Sequence, residues 1–169
     1  PENVNEGEGD FERYRQFCVG RSRGLGDFPA ACLPAATAVG RRNATGQVQV
    51  CWLAGRQPGL PVENPRQVRA YEYPRAYGPS PPSFARAMRL ESGALMGSGT
   101  SSIVGHESLH SGDLAAQIDE MAAAEAIYET GTGVPLSLFA IGGLESSPSK
   151  LDANIEVPGL LSFMATNSV

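Results

Sequence analysis

The sequence of 169 residues predicts one compact α+β domain. Three observations support this class: apolar residues at helical spacing near residue 15, strand-like segments around residue 50 and after residue 83, and a long helical pattern after residue 113. Twenty Gly and thirteen Pro residues make up about a fifth of the chain, so much of the remaining backbone is expected to form turns and loops.

The first predicted element is a helix that follows a Gly-rich acidic leader at residues 1–9. One side of this helix carries apolar residues at i, i+3, i+6 and i+7, namely Phe11, Tyr14, Phe17 and Cys18. Asp10 stands where an N-cap residue would accept a hydrogen bond from the first turn, and the helix is expected to end near Gly24. Further along, a half-buried strand is predicted by the alternation of Val48, Val50 and Trp52 with Gln47, Gln49 and Cys51.

Residues 55–82 form a Pro-rich segment in which regular strand pairing is not expected, because each proline lacks a backbone donor. The segment also contains Tyr71, Tyr73, Tyr77, Arg69 and Arg75, too many aromatic residues for simple disorder. Long loops in compact domains are usually functional. We therefore interpret residues 55–82 as one wall of a binding site.

Three short strands at residues 83–90, 94–98 and 100–104 predict a meander. Asp113 then opens the clearest helix, which should end at Gly131 and Gly133. The solvent-exposed face of this helix is expected to carry Glu120 and Glu125. Its buried face is expected to consist of Leu114, Ile118, Met121, Ala122 and Tyr128. The apolar run at residues 136–141 predicts an inner strand, while residues 149–165 allow either a helical turn or strands.

The charge balance and the cysteine usage exclude several classes of function. Thirteen basic against eighteen acidic side chains give a formal net charge of −5, which provides no field to attract nucleic acid. Cys18, Cys32 and Cys51 lack C-x-x-C spacing and are accompanied by only two histidines, so no metal site is expected. No apolar run reaches the roughly 18 residues of a membrane span. We expect reduced thiols and a cytoplasmic location.

Several motifs together resemble the chorismatase family. Residues 98–108 (SGTSSIVGHES), followed by His110, Gly112-Asp113 and Gln117, resemble the signature of that family. Residues 13–21 (RYRQFCVGR), 73–79 (YPRAYGP) and 84–87 (FARA) are similar to its C-terminal domain in the same order, and the likeness covers residues 3–130.

The resemblance implies a fold of the RidA (YjgF) type, related to chorismate mutase, in which helices pack on one face of a β-sheet. It implies an enzyme that releases pyruvate from chorismate, a small carboxylate substrate, without a metal or an organic cofactor. Family members carry two such domains in tandem, and residues 1–169 correspond to one domain of the C-terminal type. We therefore expect either a homotrimer or a partner that supplies the missing N-terminal-type domain.

The resemblance also assigns residues to the substrate site. Arg21 and Arg86 are the expected carboxylate ligands, because an arginine fork binds a carboxylate through two hydrogen bonds. Tyr73 and Tyr77 are expected to donate hydroxyl hydrogen bonds to substrate oxygens, although packing of the loop explains them equally well. The amides of Ser98, Gly99 and Thr100 are expected to approach an anionic group, unless this segment is only a strand bulge.

The expected catalytic acid lies near the C-terminus, in a segment at residues 144–169 that diverges from the family. The family ends in a Val-Glu-Ile-Glu type strand, and residues 153–156 match it with Asn154 in the first position and Glu156 in the second. Burial would raise the pKa of Glu156 so that it protonates the enol ether near neutral pH, unless Glu156 is a solvent-facing glutamate beside Pro158. His106 lies within the signature, where a structural role is commoner than a catalytic one.

Two other functions fit the same sequence. A diverged enzyme would use the pocket for isomerisation or cyclisation of another biosynthetic intermediate. A non-catalytic subunit would pair with a separate chain that carries the other half of the site.

Overall fold

The computed structural model describes residues 5–38, 48, 50 and 52–132 and shows a mixed fold of helices and antiparallel strands. This architecture confirms the predicted α+β class. Within the described residues, the elements in chain order are α1 (Arg13–Leu25), β1 (Leu60–Val62), β2 (Ala87–Arg89), β3 (Leu95–Gly97), β4 (Ile103–Val104), β5 (Glu107–Ser108) and α2 (Leu114–Thr132).

The strands β1, β2 and β3 form an antiparallel sheet in that order, and β4 and β5 form a separate hairpin. The first two strands predicted after residue 83 correspond to the paired strands β2 and β3, although each is shorter than expected. The third does not continue the predicted meander, because β4 pairs with β5 and not with β3. The Pro-rich segment nevertheless contributes β1, in which Pro61 pairs with Met88. Proline is tolerated there because β1 lies at the edge of this sheet, where only one side of the strand is paired.

Helix α2 covers one face of the sheet and completes the core. Asp113 caps it as predicted, because its carboxylate accepts a hydrogen bond from the Ala116 amide at 3.1 Å. Tyr128 packs with Ala87 and Leu95, and Val62 joins this cluster from the edge strand. Ala122, which was predicted to be buried, is exposed.

Helix α1 forms as predicted, but its N-terminus differs from the expectation. Asp10 does not cap the helix: it lies in a 3-10 turn, Gly9–Phe11, and its carboxylate accepts two hydrogen bonds from Arg75 at 3.0 and 3.3 Å. This bidentate pair uses the oxygens that a cap would need. Cys18 is buried as predicted, whereas Phe11 and Phe17 are exposed.

The prediction of a half-buried strand around residue 50 is wrong for the residues that can be examined. Val48, Val50 and Trp52 are not in a strand, and Trp52 is 87% exposed. An alternating pattern yields a half-buried strand only beside a neighbouring strand, and the described sheet ends at β1. The strand predicted at residues 136–141 and the alternatives for residues 149–165 lie outside the described residues.

None of the helices among residues 5–38 and 52–132 combines the length and apolar character that crossing a membrane requires.

Candidate active site

A cavity of about 190 Å³ lies between α1, the Pro-rich segment and the chain from Gly99 to Ser108. It brings together most of the residues that the sequence singled out. The predicted site residues that line it are Tyr73, Tyr77, Arg86, Gly99 and Thr100, and His106 lines it as well. Four residues of the segment 55–82 line this cavity, and its role as a wall of a binding site stays a prediction.

Arg86 is the buried cation of this cavity, with only 4% of its surface exposed. Its Nη2 donates hydrogen bonds to the Val68 carbonyl at 2.9 Å and to the Tyr73 hydroxyl at 2.8 Å. The guanidinium also lies over the rings of Tyr73 and Phe84, at 5.5 and 5.4 Å from their centroids. These contacts fix the guanidinium, and none of the described carboxylates forms an ion pair with it.

Tyr73, Tyr77 and His106 form an aromatic cluster beside this cation. The centroid of Tyr77 lies 5.3 Å from that of Tyr73 and 5.4 Å from that of His106. The Tyr77 hydroxyl is hydrogen-bonded to Nδ1 of His106 at 3.0 Å. Desolvation, aided by the charge of Glu107, raises the pKa of Tyr77, so this hydroxyl keeps its proton and remains a donor at neutral pH.

Gly99 and Thr100 line the cavity, whereas Ser98 does not, and the Ser98 amide donates to the Arg86 carbonyl at 2.9 Å. The Ser98 hydroxyl donates to the Ala85 carbonyl at 2.5 Å and accepts from the Ala36 amide at 2.9 Å. The Gly99 amide donates to the Thr37 hydroxyl at 2.8 Å. The expectation that this amide faces an anion is therefore not met in this structure, because a side chain across the cavity already accepts its hydrogen bond.

The Thr100 hydroxyl is also satisfied internally, because it accepts a hydrogen bond from the Gln67 amide at 3.3 Å. Gln67 donates to the Ile103 carbonyl as well, at 3.1 Å. The Gly99 amide and the Thr100 hydroxyl are thus engaged within the protein, and both residues line the cavity.

Arg21 is not brought to the cavity. It lies on α1, where its charge acts on Tyr14 and Cys18. Burial is the main influence on both of these groups: it raises the pKa of the Tyr14 hydroxyl and raises that of the Cys18 thiol to about 11. The expectation that Arg21 is a second carboxylate ligand is thus not supported, because Arg21 lies on α1 and does not line the cavity.

Sequence reasoning missed three charged residues at or near this site. Glu12 and Arg15 line the cavity and form an ion pair at 2.9 Å. Glu63 follows β1, and both of its carboxylate oxygens are buried without a hydrogen bond of ordinary geometry. Burial is the main cause of its raised pKa, which the amide and the guanidinium of Arg86 partly offset. Its position in the sequence gives no signal of this, because its burial depends on the pairing of β1 with β2.

The predicted acid, Glu156, lies outside the described residues, so its role stays a prediction. Over the part of the chain that the structure describes, no cluster of three or more His, Cys, Asp and Glu side chains could hold a metal ion.

Comparisons with known proteins give several matches to one family. The chain is 44% identical over 125 residues to a 3-hydroxybenzoate synthase of Streptomyces hygroscopicus, covering 68% of this chain and 36% of that protein. It is 41% identical over 123 residues to a chorismatase of the same organism, covering 69% and 35%. A chorismatase crystal structure superposes with a TM-score of 0.60 at 36% identity, over 73% of this chain and 39% of that chain.

The chain belongs to the chorismatase family. It spans about a third of the length of the curated relatives it matches. The family model for the N-terminal part of FkbO/Hyg5-like chorismatases matches residues 2–54. The sequence motifs instead resemble the C-terminal domain, so the assignment to that domain stays a prediction.

A second family model, that of cytochrome bd terminal oxidase subunit I, matches residues 68–169. The match spans more than half of the chain, so this C-terminal part belongs to that family as well. It overlaps the cavity-forming residues after 68 and includes all of residues 133–169. It thus contains the segment that diverges from the chorismatase pattern, including Glu156.

Proposed function

We propose that this chain binds chorismate in the cavity and releases pyruvate from it by acid-assisted hydrolysis of the enol ether, as part of bacterial secondary metabolism. The observation that carries this proposal is Arg86, a buried guanidinium on the cavity wall of a chain related to chorismatases. Chorismate carries two carboxylates, and a fixed arginine is the side chain best suited to hold one of them.

The reaction assigns a task to each group. Arg86 holds a carboxylate, and the Tyr73 and Tyr77 hydroxyls orient substrate oxygens. A carboxylic acid then transfers its proton to the enol-ether methylene, which leaves an oxocarbenium carbon. Water adds to this carbon and gives up a proton, and the hemiketal collapses to pyruvate and a dihydroxycyclohexadiene carboxylate. Loss of one water from this ring product would give a hydroxybenzoate. We assign the acid to Glu156.

The proposal includes a partner; the matched segment covers 36% and 35% of the length of the two relatives. Self-association as a homotrimer, or a separate chain that provides the N-terminal-type domain, would supply the missing part. The proposed location is the cytoplasm.

The direct test is incubation of the purified chain with chorismate, followed by pyruvate release and chromatography of the ring product. We expect turnover well above the spontaneous rate in the wild type and a large loss in Arg86→Lys, which keeps the charge but cannot form a fork. Arg89→Lys, on the exposed end of β2, is the matched control and should keep full activity. Equal rates in both variants would contradict the proposal.

A non-catalytic binding subunit is the second candidate, and one observation favours it. Glu156 lies in the segment matched by the oxidase model, where the chorismatase pattern is lost. In that case the folded chain would bind chorismate without releasing pyruvate, and activity would appear only with a co-expressed homologue. A Glu156→Gln variant with unchanged turnover would remove Glu156 as the acid while leaving the chorismatase assignment intact.

A diverged reaction on the same scaffold, isomerisation or cyclisation of a related ligand, would give a new product without pyruvate. The chromatogram of the incubation separates this outcome from the other two.

A further inference from the structure

Glu63 is a buried carboxyl group beside the proposed ligand-binding cation. The register of β1 and β2 pairs Val62 with Ala87, so the next positions along the two strands are Glu63 and Arg86. Cross-strand neighbours at one register position project to the same face. Both oxygens of Glu63 are inaccessible to solvent and make no hydrogen bond of ordinary geometry, and Nε of Arg86 is likewise buried and unpartnered.

Burying such a carboxyl group in its ionised form costs free energy, unless a nearby positive charge or several hydrogen bonds replace its contacts with water. The charged groups that act on Glu63 are Arg86, Arg69 and Glu72. The charge of Glu63 acts in turn on the titratable group Tyr128 of α2. Arg69 is itself paired with Glu72, at 3.2 Å. Arg86 is therefore the main counter-charge for Glu63.

We infer that Glu63 is a positioning residue that couples proton uptake to the binding of a carboxylate ligand at Arg86. This inference rests on the proposed function. In the free protein, the guanidinium charge stabilises the ionised form of Glu63. A ligand carboxylate at the same guanidinium adds a second negative charge within the buried site, and Glu63 relieves the repulsion by taking one proton from solvent. No other bond forms or breaks.

The consequence is a pH-dependent affinity. Because Glu63 binds more protons in the complex than in the free protein, the affinity for the ligand rises as the pH falls through the range between the two pKa values. A neutral Glu63 also leaves the full positive charge of Arg86 to attract the ligand. In this way Glu63 would control the orientation of the substrate without contacting it.

The test is calorimetric titration of the full chain with benzoate, a simple aromatic carboxylate, in two buffers of different ionisation enthalpy between pH 5 and pH 7. We expect a buffer-dependent heat that corresponds to a net uptake of about half a proton per site, and an affinity that falls about tenfold from pH 5 to pH 7. Glu63→Gln should bind benzoate with no uptake and a flat pH profile. Glu72→Gln, which removes an exposed carboxylate on the adjacent 3-10 turn, should retain both effects.

The outcomes separate the two proposals. If benzoate does not bind at all, the anion site of the proposed function fails. If benzoate binds the wild type without proton uptake, or if uptake persists in Glu63→Gln, the inference about Glu63 is overturned and the proposed function stands. If Glu63→Gln does not fold, carbon-13 NMR of the wild-type glutamate carboxyls decides: one carboxyl midpoint must move to higher pH with benzoate, and no movement refutes the inference.

Discussion

Replacing Arg86 with methionine tests the cavity at its most constrained residue. Nη2 of Arg86 is committed to Val68 and Tyr73, and Nε is buried, so we expect Nη1 to bind a ligand carboxylate. A charge-assisted hydrogen bond to a carboxylate contributes about 1.5 to 3 kcal/mol. Loss of one such bond together with the charge is therefore expected to cost about 2 to 3 kcal/mol, which corresponds to a roughly 30- to 150-fold weaker binding of chorismate.

The assay is calorimetric titration of chorismate, or of benzoate where turnover interferes, with circular dichroism to confirm folding. Folding needs this check because the Val68 carbonyl and the Tyr73 hydroxyl lose their donor, at a cost of about 1 to 3 kcal/mol each, partly offset by removal of a buried charge. Arg89→Met on the same strand is the control and should bind as the wild type does. A folded Arg86→Met variant that binds within threefold of the wild type would refute the reasoning.

Three further variants or probes test other parts of the account. Tyr77→Phe removes the hydrogen bond to His106 and should lower the unfolding free energy by about 1 kcal/mol, measured by urea denaturation. Asp113→Ala removes the cap of α2 and should cost about 1 kcal/mol, seen as a lower Tm. The pKa of about 11 keeps the Cys18 thiol protonated at pH 8, so iodoacetamide should label Cys32 much faster, as peptide mass mapping would show.

Each of these has a matched comparison. Tyr71→Phe, on the same Pro-rich segment, and Asp119→Ala, on the exposed side of α2, should leave stability within about 0.5 kcal/mol of the wild type. Equal losses in a variant and its control would show that the named contact does not account for the effect. Labelling of Cys18 at the rate of Cys32 in the folded chain would show that this thiol is not protected by burial.

The parts of the structure that sequence predicted well depend on local pattern. Helix α2 is recognisable because Asp113 caps it and because Met121 and Tyr128 recur at helical spacing on the buried side. The segment 55–82 stands out because tyrosines and arginines interrupt a Pro-rich loop, and Tyr73 and Tyr77 line the cavity, while its role as a binding wall stays a prediction. Both signals are contained within about 30 residues of sequence.

The parts that sequence missed depend on contacts between distant residues. Asp10 looks like a helix cap until Arg75, 65 residues away, takes its carboxylate. The Gly99 amide looks free until Thr37 accepts its hydrogen bond across 62 residues. Glu63 shows nothing unusual in the sequence, because its burial follows from the pairing of β1 with β2. Contacts of this kind can be predicted only when the fold is known to bring these distant residues together.

We propose that this chain hydrolyses chorismate at the Arg86 cavity. The most direct measurement is the stoichiometry of the reaction, with pyruvate and residual chorismate quantified together over a time course with the purified full chain. We expect one pyruvate to form for each chorismate consumed, at a rate far above that of spontaneous chorismate breakdown. A folded chain that binds chorismate and releases no pyruvate would contradict it.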